Sequence, residues 1–372
     1  MRHKLIILLL ILVFPGILSG CWDVEEINQK ATVNAIFLDT GQPGNIRLGA
    51  SFEVPGTLLP PYGGSEQQFQ KRTFTLAGEG PGLLDAWKNL QSISARDIFF
   101  GQIIAIIITE KLAMSSDLNE ILNFIGRTME FPGNTFVLVT RDDPEQLLDI
   151  KLKNNMLPGN YIRNYYQSPS RQNLAIPIQL WQVFYALTNR TNDLYLPMIE
   201  TSQGMYRIAG TALFSGPRMV GKLDEQETEV LSLLLGTQDG YLTVASGRQL
   251  LGFFHVQSKS SIKPRMNAGR KWEFTVNTKI SGSLHENRPA DLNLTPKIIR
   301  NYQKQAKDYT GREIKKLLDK LVQLNSDPVG FGDRIRIKYP EVWEKNDWRQ
   351  IYPEVKFGIK TEFVNKTTGV FR

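Results

Sequence analysis

Ile103-Ile104-Ala105-Ile106-Ile107-Ile108 is the longest apolar run beyond residue 20 of this 372-residue chain. It falls far short of the roughly 20 apolar residues that a membrane-spanning helix needs. Branching at Cβ stiffens the first side-chain torsion and favours a pleated backbone, and an unbroken apolar run suits a strand covered on both faces. The run therefore predicts a buried central strand. Outward from it, residues 31–38 and 46–54 read as strands around the turn-forming Thr40-Gly41-Gln42-Pro43-Gly44, and residues 69–76 alternate again. The Pro/Gly/Ser-rich residues 55–65 predict a loop or a small subdomain near 55–68.

Helical spacing follows on both sides of the run. Residues 81–90 begin with a proline in the favoured first turn and place Leu83, Leu84, Trp87 and Leu90 on one face. Asp117 is a predicted N-cap for residues 118–127, where Leu118, Ile121, Leu122 and Ile125 form the apolar stripe. Residues 136–140 predict a strand, 144–152 a short helix, and the aromatic-rich 174–187 a helix broken near its start by Pro177. Residues 195–204 mark a boundary, after which strands are expected at 208–214, 241–245, 251–257 and 272–280. Asp224 with Glu227 has the form of a capping box. The longest helix, 296–325, opens on Thr295-Pro296 and carries apolar residues at helical spacing from Ile298 to Leu324. An alternating strand over 355–364 closes the pattern.

Strands joined by short turns, with helices interspersed irregularly, predict an α+β protein. The expected architecture is multidomain, with mixed or antiparallel sheets packed with helices and several small domains in series. The domain limits read as a leader over 1–20, an N-terminal α+β region over 21–200 and a C-terminal α+β region over 201–372 that contains the long helix.

The leader has the parts of a lipoprotein signal peptide. Arg2 and Lys4 precede an apolar core from Leu5 to Phe14, Pro15-Gly16 breaks it, and Leu18-Ser19-Gly20 leads into Cys21. Cys21 is the only cysteine in the chain. Leu18, Ser19 and Gly20 are the expected signal-peptidase recognition residues, and Cys21 the expected site of lipidation through its sulfur. One acyl chain holds a protein to a bilayer only marginally, whereas two on one glycerol make a stable tether. The expected location is the extracytoplasmic face of a cell membrane, lipid-anchored. With Cys21 acylated, no thiol remains for a disulfide, and packing must hold the fold.

The net charge is +7, of which Arg2 and Lys4 contribute two, leaving +5 after cleavage. Acids are interleaved with the bases along the chain, so no concentrated patch with stacking aromatics points to nucleic acid. A modest basic excess is compatible with lying on anionic headgroups, but a solvated, slightly basic surface is the leading reading.

Catalytic patterns fail on inspection. Gly216 to Lys222 has P-loop spacing, yet Leu223 stands where a Ser or Thr must bind magnesium, and Pro217 removes a needed N–H; a hairpin turn is the reading. Gly78-Glu79-Gly80-Pro81-Gly82 lacks dinucleotide spacing and places a carboxylate against the pyrophosphate; it reads as a glycine-rich start to the helix after it. His255 and His285 are the histidines beyond the leader, and neither has a second histidine at metal-ligand spacing. His255, after Phe253-Phe254, reads as a structural imidazole. HExxH, CxxC and GxSxG are all missing from the sequence. No catalytic, cofactor-binding or metal residues are assigned, no cofactor is expected, and the chain is not read as an enzyme.

Three further blocks resemble a known family. They are Gly20-Cys21-Trp22-Asp23 with Glu26-Ile27; Gly210-Thr211-Ala212-Leu213-Phe214 with Met219-Val220-Gly221-Lys222-Leu223; and Asp327-Pro328-Val329-Gly330-Phe331-Gly332 with Pro340-Glu341-Val342-Trp343 and Trp348. In order and spacing they resemble the Ger(x)C family, the C-subunit lipoproteins of nutrient germinant receptors in endospore-forming bacteria. The resemblance covers nearly the whole chain and departs from the family at Gln102, where a histidine is the associated residue. It implies several α+β domains and an exported, lipid-anchored, non-enzymatic subunit on the outer face of the spore inner membrane. Integral-membrane A and B receptor subunits are the implied partners, with a role in germination. The alternative reading from the residues is a solute-binding lipoprotein of an importer, which predicts two βαβ lobes around a crevice.

Overall fold

The computed structural model describes residues 30–53, 73–128, 131–150, 152, 156–189, 191–267, 271–289 and 294–367. The fold is mixed α+β, built on a nine-stranded and a four-stranded sheet, each packed with helices. In the first sheet the strands are β1 (Lys30–Thr40), β2 (Ile46–Glu53), β3 (Thr73–Gly80), β4 (Asp97–Phe99), β5 (Ala105–Thr109), β6 (Phe136–Thr140), β7 (Tyr195–Ser202), β8 (Met205–Ser215) and β9 (Arg218–Leu223). Their order is β3-β2-β1-β5-β6-β7-β8-β9, with β4 paired to the first residues of β1.

The apolar run is at the middle of this sheet, as its composition predicts. β5 starts at Ala105, and Ile103 and Ile104 precede it as buried backbone bonded to Phe100 and Asn34. Ile106 and Ile108 enter one core, while Ala105 and Ile107 enter the core on the opposite face. Helices Leu83–Ile93, Glu110–Ser115, Leu118–Arg127 and Leu180–Asn189 cover the first face. Helices Pro144–Asp149 and Pro158–Tyr166 cover the second with Leu147, Leu148, Ile162 and Tyr166. β1, β5, β6 and β7 are mutually parallel, a feature that the irregular element order did not announce.

The second sheet has the order β10 (Tyr241–Ser246), β11 (Gln249–Met266), β12 (Trp272–Arg288) and β13 (Lys356–Asn365). β10, β11 and β12 form an antiparallel meander, and β13 joins parallel to β12 after the long helix Pro296–Gln323. Thr295 caps that helix by accepting from Ile298 N, and Tyr302, Ala306, Tyr309, Ile314, Leu317, Leu318 and Leu321 are its buried stripe. Gly311 does not interrupt it.

Local predictions held where the chemistry is short-ranged. Asp117 caps Leu118–Arg127, and all four expected apolar residues there are buried. Asp224 and Glu227 form both halves of the capping box at helix Glu225–Leu235. Elsewhere the structure corrects the reading. Gly78 and Gly80 belong to β3, not to a helix start, because the following helix packs directly on them: a Cβ on Gly78 would lie 2.2 Å from Ala86 O. Leu84 is exposed, and Ala86 takes its place in the core. The helix Pro158–Tyr166 was not foreseen. β11 and β12 are far longer than expected, and His255 lies at a bulge with φ 52°, its exposed ring Nδ1 3.1 Å from Asp239 Oδ1. The loop expected near 55–68, Leu18-Ser19-Gly20-Cys21 and Trp22-Asp23 lie outside the described residues, as does Glu26-Ile27.

Candidate functional site

The third sequence block forms a buried junction between the two sheets. After the long helix, Asn325 turns the chain at φ 48° and Ser326 donates to Phe214 O at the end of β8. Asp327 follows, 1 % exposed. Its Oδ1 accepts from the backbone N–H of Gly330 and Phe331, and its Oδ2 from Gly332 N–H and Trp348 Nε1. Burial pushes the Asp327 carboxyl up to about 7, against the N–H donors that favour its charged form. Gly330 adopts φ 77°, which glycine reaches without strain, and a Cβ on Gly332 would lie 2.7 Å from the Trp348 ring nitrogen.

Asp193, in the segment leading to β7, completes the junction. Its Oδ2 accepts from Asp327 N, and its own N–H donates to Asp327 O. Its Oδ1 accepts from Gly216 N at 2.7 Å and from Arg349 at 2.6 Å. Arg349 thus forms an ion pair with the acid, and it also donates to Ser215 Oγ beside the hairpin turn. The Gly216–Lys222 segment is thus the β8–β9 hairpin, with Gly216 at φ 62°. Trp348 packs on Tyr352 and Phe274, and Phe331 on Phe274 and Phe357. The block holds the two sheets together. Asp193 and Arg349 were missed; they lie 134 and 22 residues from Asp327, with no local pattern to link them.

At the carboxyl ends of the parallel strands the carboxylates are paired with neighbouring donors. Asp39 accepts from Thr109 and from Thr40 N, and Asp142 accepts from Thr201. Glu110 pairs with Lys222 and Arg141, and Glu200 with Arg141 and Arg207. Among the described residues no three His, Cys, Asp or Glu side chains are grouped to hold a metal ion. His285 stacks on Phe254 with ring centres 4.7 Å apart. Gln102 is exposed in the turn before β5. Such groups can make contacts, but they offer no activated nucleophile or paired acid and base.

Two exposed rings stand out instead. Trp181 and Tyr185, four apart on helix Leu180–Asn189, are 55 % and 53 % exposed. A cleft of about 390 Å³ beside them is lined by Ile178, Leu194 and Tyr195. Another of about 810 Å³, lined by Asn189, Pro217, Trp343 and Arg349, reaches the junction from outside. Large exposed aromatics beside concave surface are common anchors of protein contacts. Their i, i+4 spacing was visible in the sequence, but periodicity alone cannot say which face of a helix is covered. Among the described residues no helix is long and apolar enough to cross a membrane.

Comparison with known proteins gives a consistent result along the chain. Residues 23–201 match the family described as "Spore germination protein N-terminal domain", and residues 209–369 match "Spore germination B3/ GerAC like, C-terminal". Spore germination protein B3 of Bacillus subtilis is 23 % identical over 355 residues, covering 93 % of each chain. Spore germination protein KC of the same organism is 23 % identical, covering 100 % of this chain and 97 % of its own. GerQC of Bacillus cereus is 22 % identical, covering 97 % and 98 %. The crystal structure of the GerBC protein superposes with a TM-score of 0.58 at 20 % identity, covering 92 % of this chain and all of that one, which shows a shared fold.

Proposed function

The chain belongs to the GerAC-like spore germination family, and from that premise we propose that it is the lipid-anchored C subunit of a nutrient germinant receptor. In this reading it works without catalysis, by protein–protein contact with integral-membrane A and B subunits at the outer face of the spore inner membrane. The observation that carries the reading is the match of both family segments, in order, over residues 23–201 and 209–369. Cys21 is the proposed lipidation site and Leu18, Ser19 and Gly20 the proposed signal-peptidase recognition residues. The Trp181–Tyr185 ridge is the proposed contact for a protein partner.

The four parallel strands give some weight to a solute-binding lipoprotein of an importer. That class binds in a crevice where strand order reverses. Here the order β3-β2-β1-β5-β6-β7 does reverse between β1 and β5, but β2 joins β1 antiparallel through a short turn, so parallel βαβ units lie on only one side of that point. Titrating the protein with amino acids and sugars separates the readings: micromolar binding by this chain alone would favour the importer.

The direct test of the tether is Cys21→Ala in a sporulating host, followed by fractionation and labelling with a palmitate analogue. The expected outcome is loss of label, with the protein either released from the membrane or held as an unprocessed precursor. Unchanged processing and unchanged membrane attachment would refute the anchor.

A further inference from the structure

The outer face of the four-stranded sheet carries a surplus of positive charge that neither core nor junction uses. The strand registers align its outward residues in cross-strand rows. Lys259, Lys279 and Glu362 form one row, and Ser261, Asn277 and Lys360 the next. Lys263, Thr275 and Gly358 follow, and then Arg265, Glu273 and Lys356. The opposite face of the same strands is buried through Trp272, Phe274, Val276 and Ile280. Across the rows, six cations stand against two carboxylates. All six cations are exposed, and of them only Lys279 has an ion-pair partner among the described residues, Glu362 at 3.6 Å.

Stability does not account for this pattern. Lys259 and Lys279 sit directly opposite each other on neighbouring strands, where like charges are unfavourable. Lysines on edge strands guard against edge-to-edge pairing, which accounts for Lys356 and Lys360 on β13. It does not account for Lys279, because β12 is paired on both sides.

We propose that this sheet face lies against the surface of an anionic phospholipid bilayer. The rows are polar, with Ser, Thr, Asn and Gly between the bases and no aromatic side chain. Protein interfaces are enriched in aromatics and arginine and depleted in lysine, whereas five of these six cations are lysine. Lysine is a flexible point charge, suited to a diffuse layer of headgroups more than to a fixed forked contact. The inference rests on the reading of the chain as membrane-tethered. Nine residues from Cys21 to Lys30 span at most about 32 Å, so a tether at Cys21 keeps the start of the body within that reach of the lipid. At that range, weak attraction by one face is enough to set orientation.

The test uses residues 22–372, which contain every described element but not the acylated cysteine, so its outcome is independent of whether Cys21 is lipidated. Sedimentation with vesicles of phosphatidylcholine and phosphatidylglycerol is compared with phosphatidylcholine alone, at low and at high salt. Binding is expected only with the anionic lipid, and only at low salt. Replacing Lys259, Lys263, Lys279 and Lys360 together by Gln should cut partitioning more than a hundredfold, at about fivefold for each lysine. Replacing Lys297, Lys304, Lys315 and Lys316 on the long helix by Gln removes the same charge elsewhere and should change it by less than tenfold. Equal loss in both variants, or no preference of the wild-type chain for anionic vesicles, overturns the proposal. The second result would leave an acidic protein surface as the partner. Thermal melting of both variants at the wild-type temperature confirms that the comparison is between folded proteins.

Discussion

Strands β5 and β12 both lie inside their sheets, yet they treat their two faces differently. Every residue of β5 is buried, and helices close over the sheet on both sides. β12 alternates: Trp272, Phe274, Val276 and Ile280 enter the core, while Glu273, Thr275, Asn277 and Lys279 look outward. The centre of the first sheet is buried on both faces, and the second keeps one face outward along its strands. The difference locates constraint: substitution inside the nine-stranded sheet should act on folding, and substitution on the outer face of the four-stranded sheet on binding.

The sharpest way to break the comparison is at the junction that joins the two sheets. Asp327→Ala leaves the N–H groups of Gly330, Phe331 and Gly332 and the Trp348 ring N–H without their acceptor. Urea unfolding should show a loss of about 3–5 kcal/mol. A loss below about 1 kcal/mol would mean that the junction is not structural. Next, Ile107→Ala on β5 should cost about 2–5 kcal/mol by opening a cavity. Lys263→Ala on β11 should stay within about 0.5 kcal/mol in the same assay. Similar losses in both would erase the distinction between the sheets.

An effect smaller than those at Asp327 and Ile107 depends on pH. Burial, with Asp224 adding to it, pushes the Glu229 carboxyl up to about 7. As pH rises from its ordinary 4.5 to about 7, the unfolded chain ionises first, so stability falls across that window and the full penalty stands above it. Glu229→Gln removes the penalty. Melting curves should show the variant more stable than wild type by roughly 1–2 kcal/mol at pH 8, with the gap closing near pH 4.5. A gap independent of pH would assign the effect to packing.

What the sequence made legible follows from range. The capping box of Asp224 and Glu227, the cap of Thr295 and the stripe of the long helix involve residues three to seven apart, and each is found in place. The parallel order of β1, β5, β6 and β7 was hidden because β2, β3 and β4 intervene between the first two, and short helices between the rest. The distal half of β11 was hidden for a different reason. Its inward residues include Ser258, Ser260 and Pro264, so alternation of polarity fades while the pairing continues to Met266. The contact of Arg349 with Asp193 spans 156 residues and leaves no local trace. Of the proposed site residues, Cys21 rests on sequence alone, whereas Trp181 and Tyr185 needed the fold to show that they are uncovered.

The same long separation sets an order of assembly. β13 is the last strand, and it pairs along β12 from Glu273 to Gly282 only after about 70 intervening residues have been made. The junction likewise waits for Arg349. A chain emerging amino end first can build the strands around β5 early, but it cannot close the second sheet until its final segment arrives. Closure of long loops is slow compared with local helix formation. That delay leaves the carboxyl half extensible until synthesis is nearly complete.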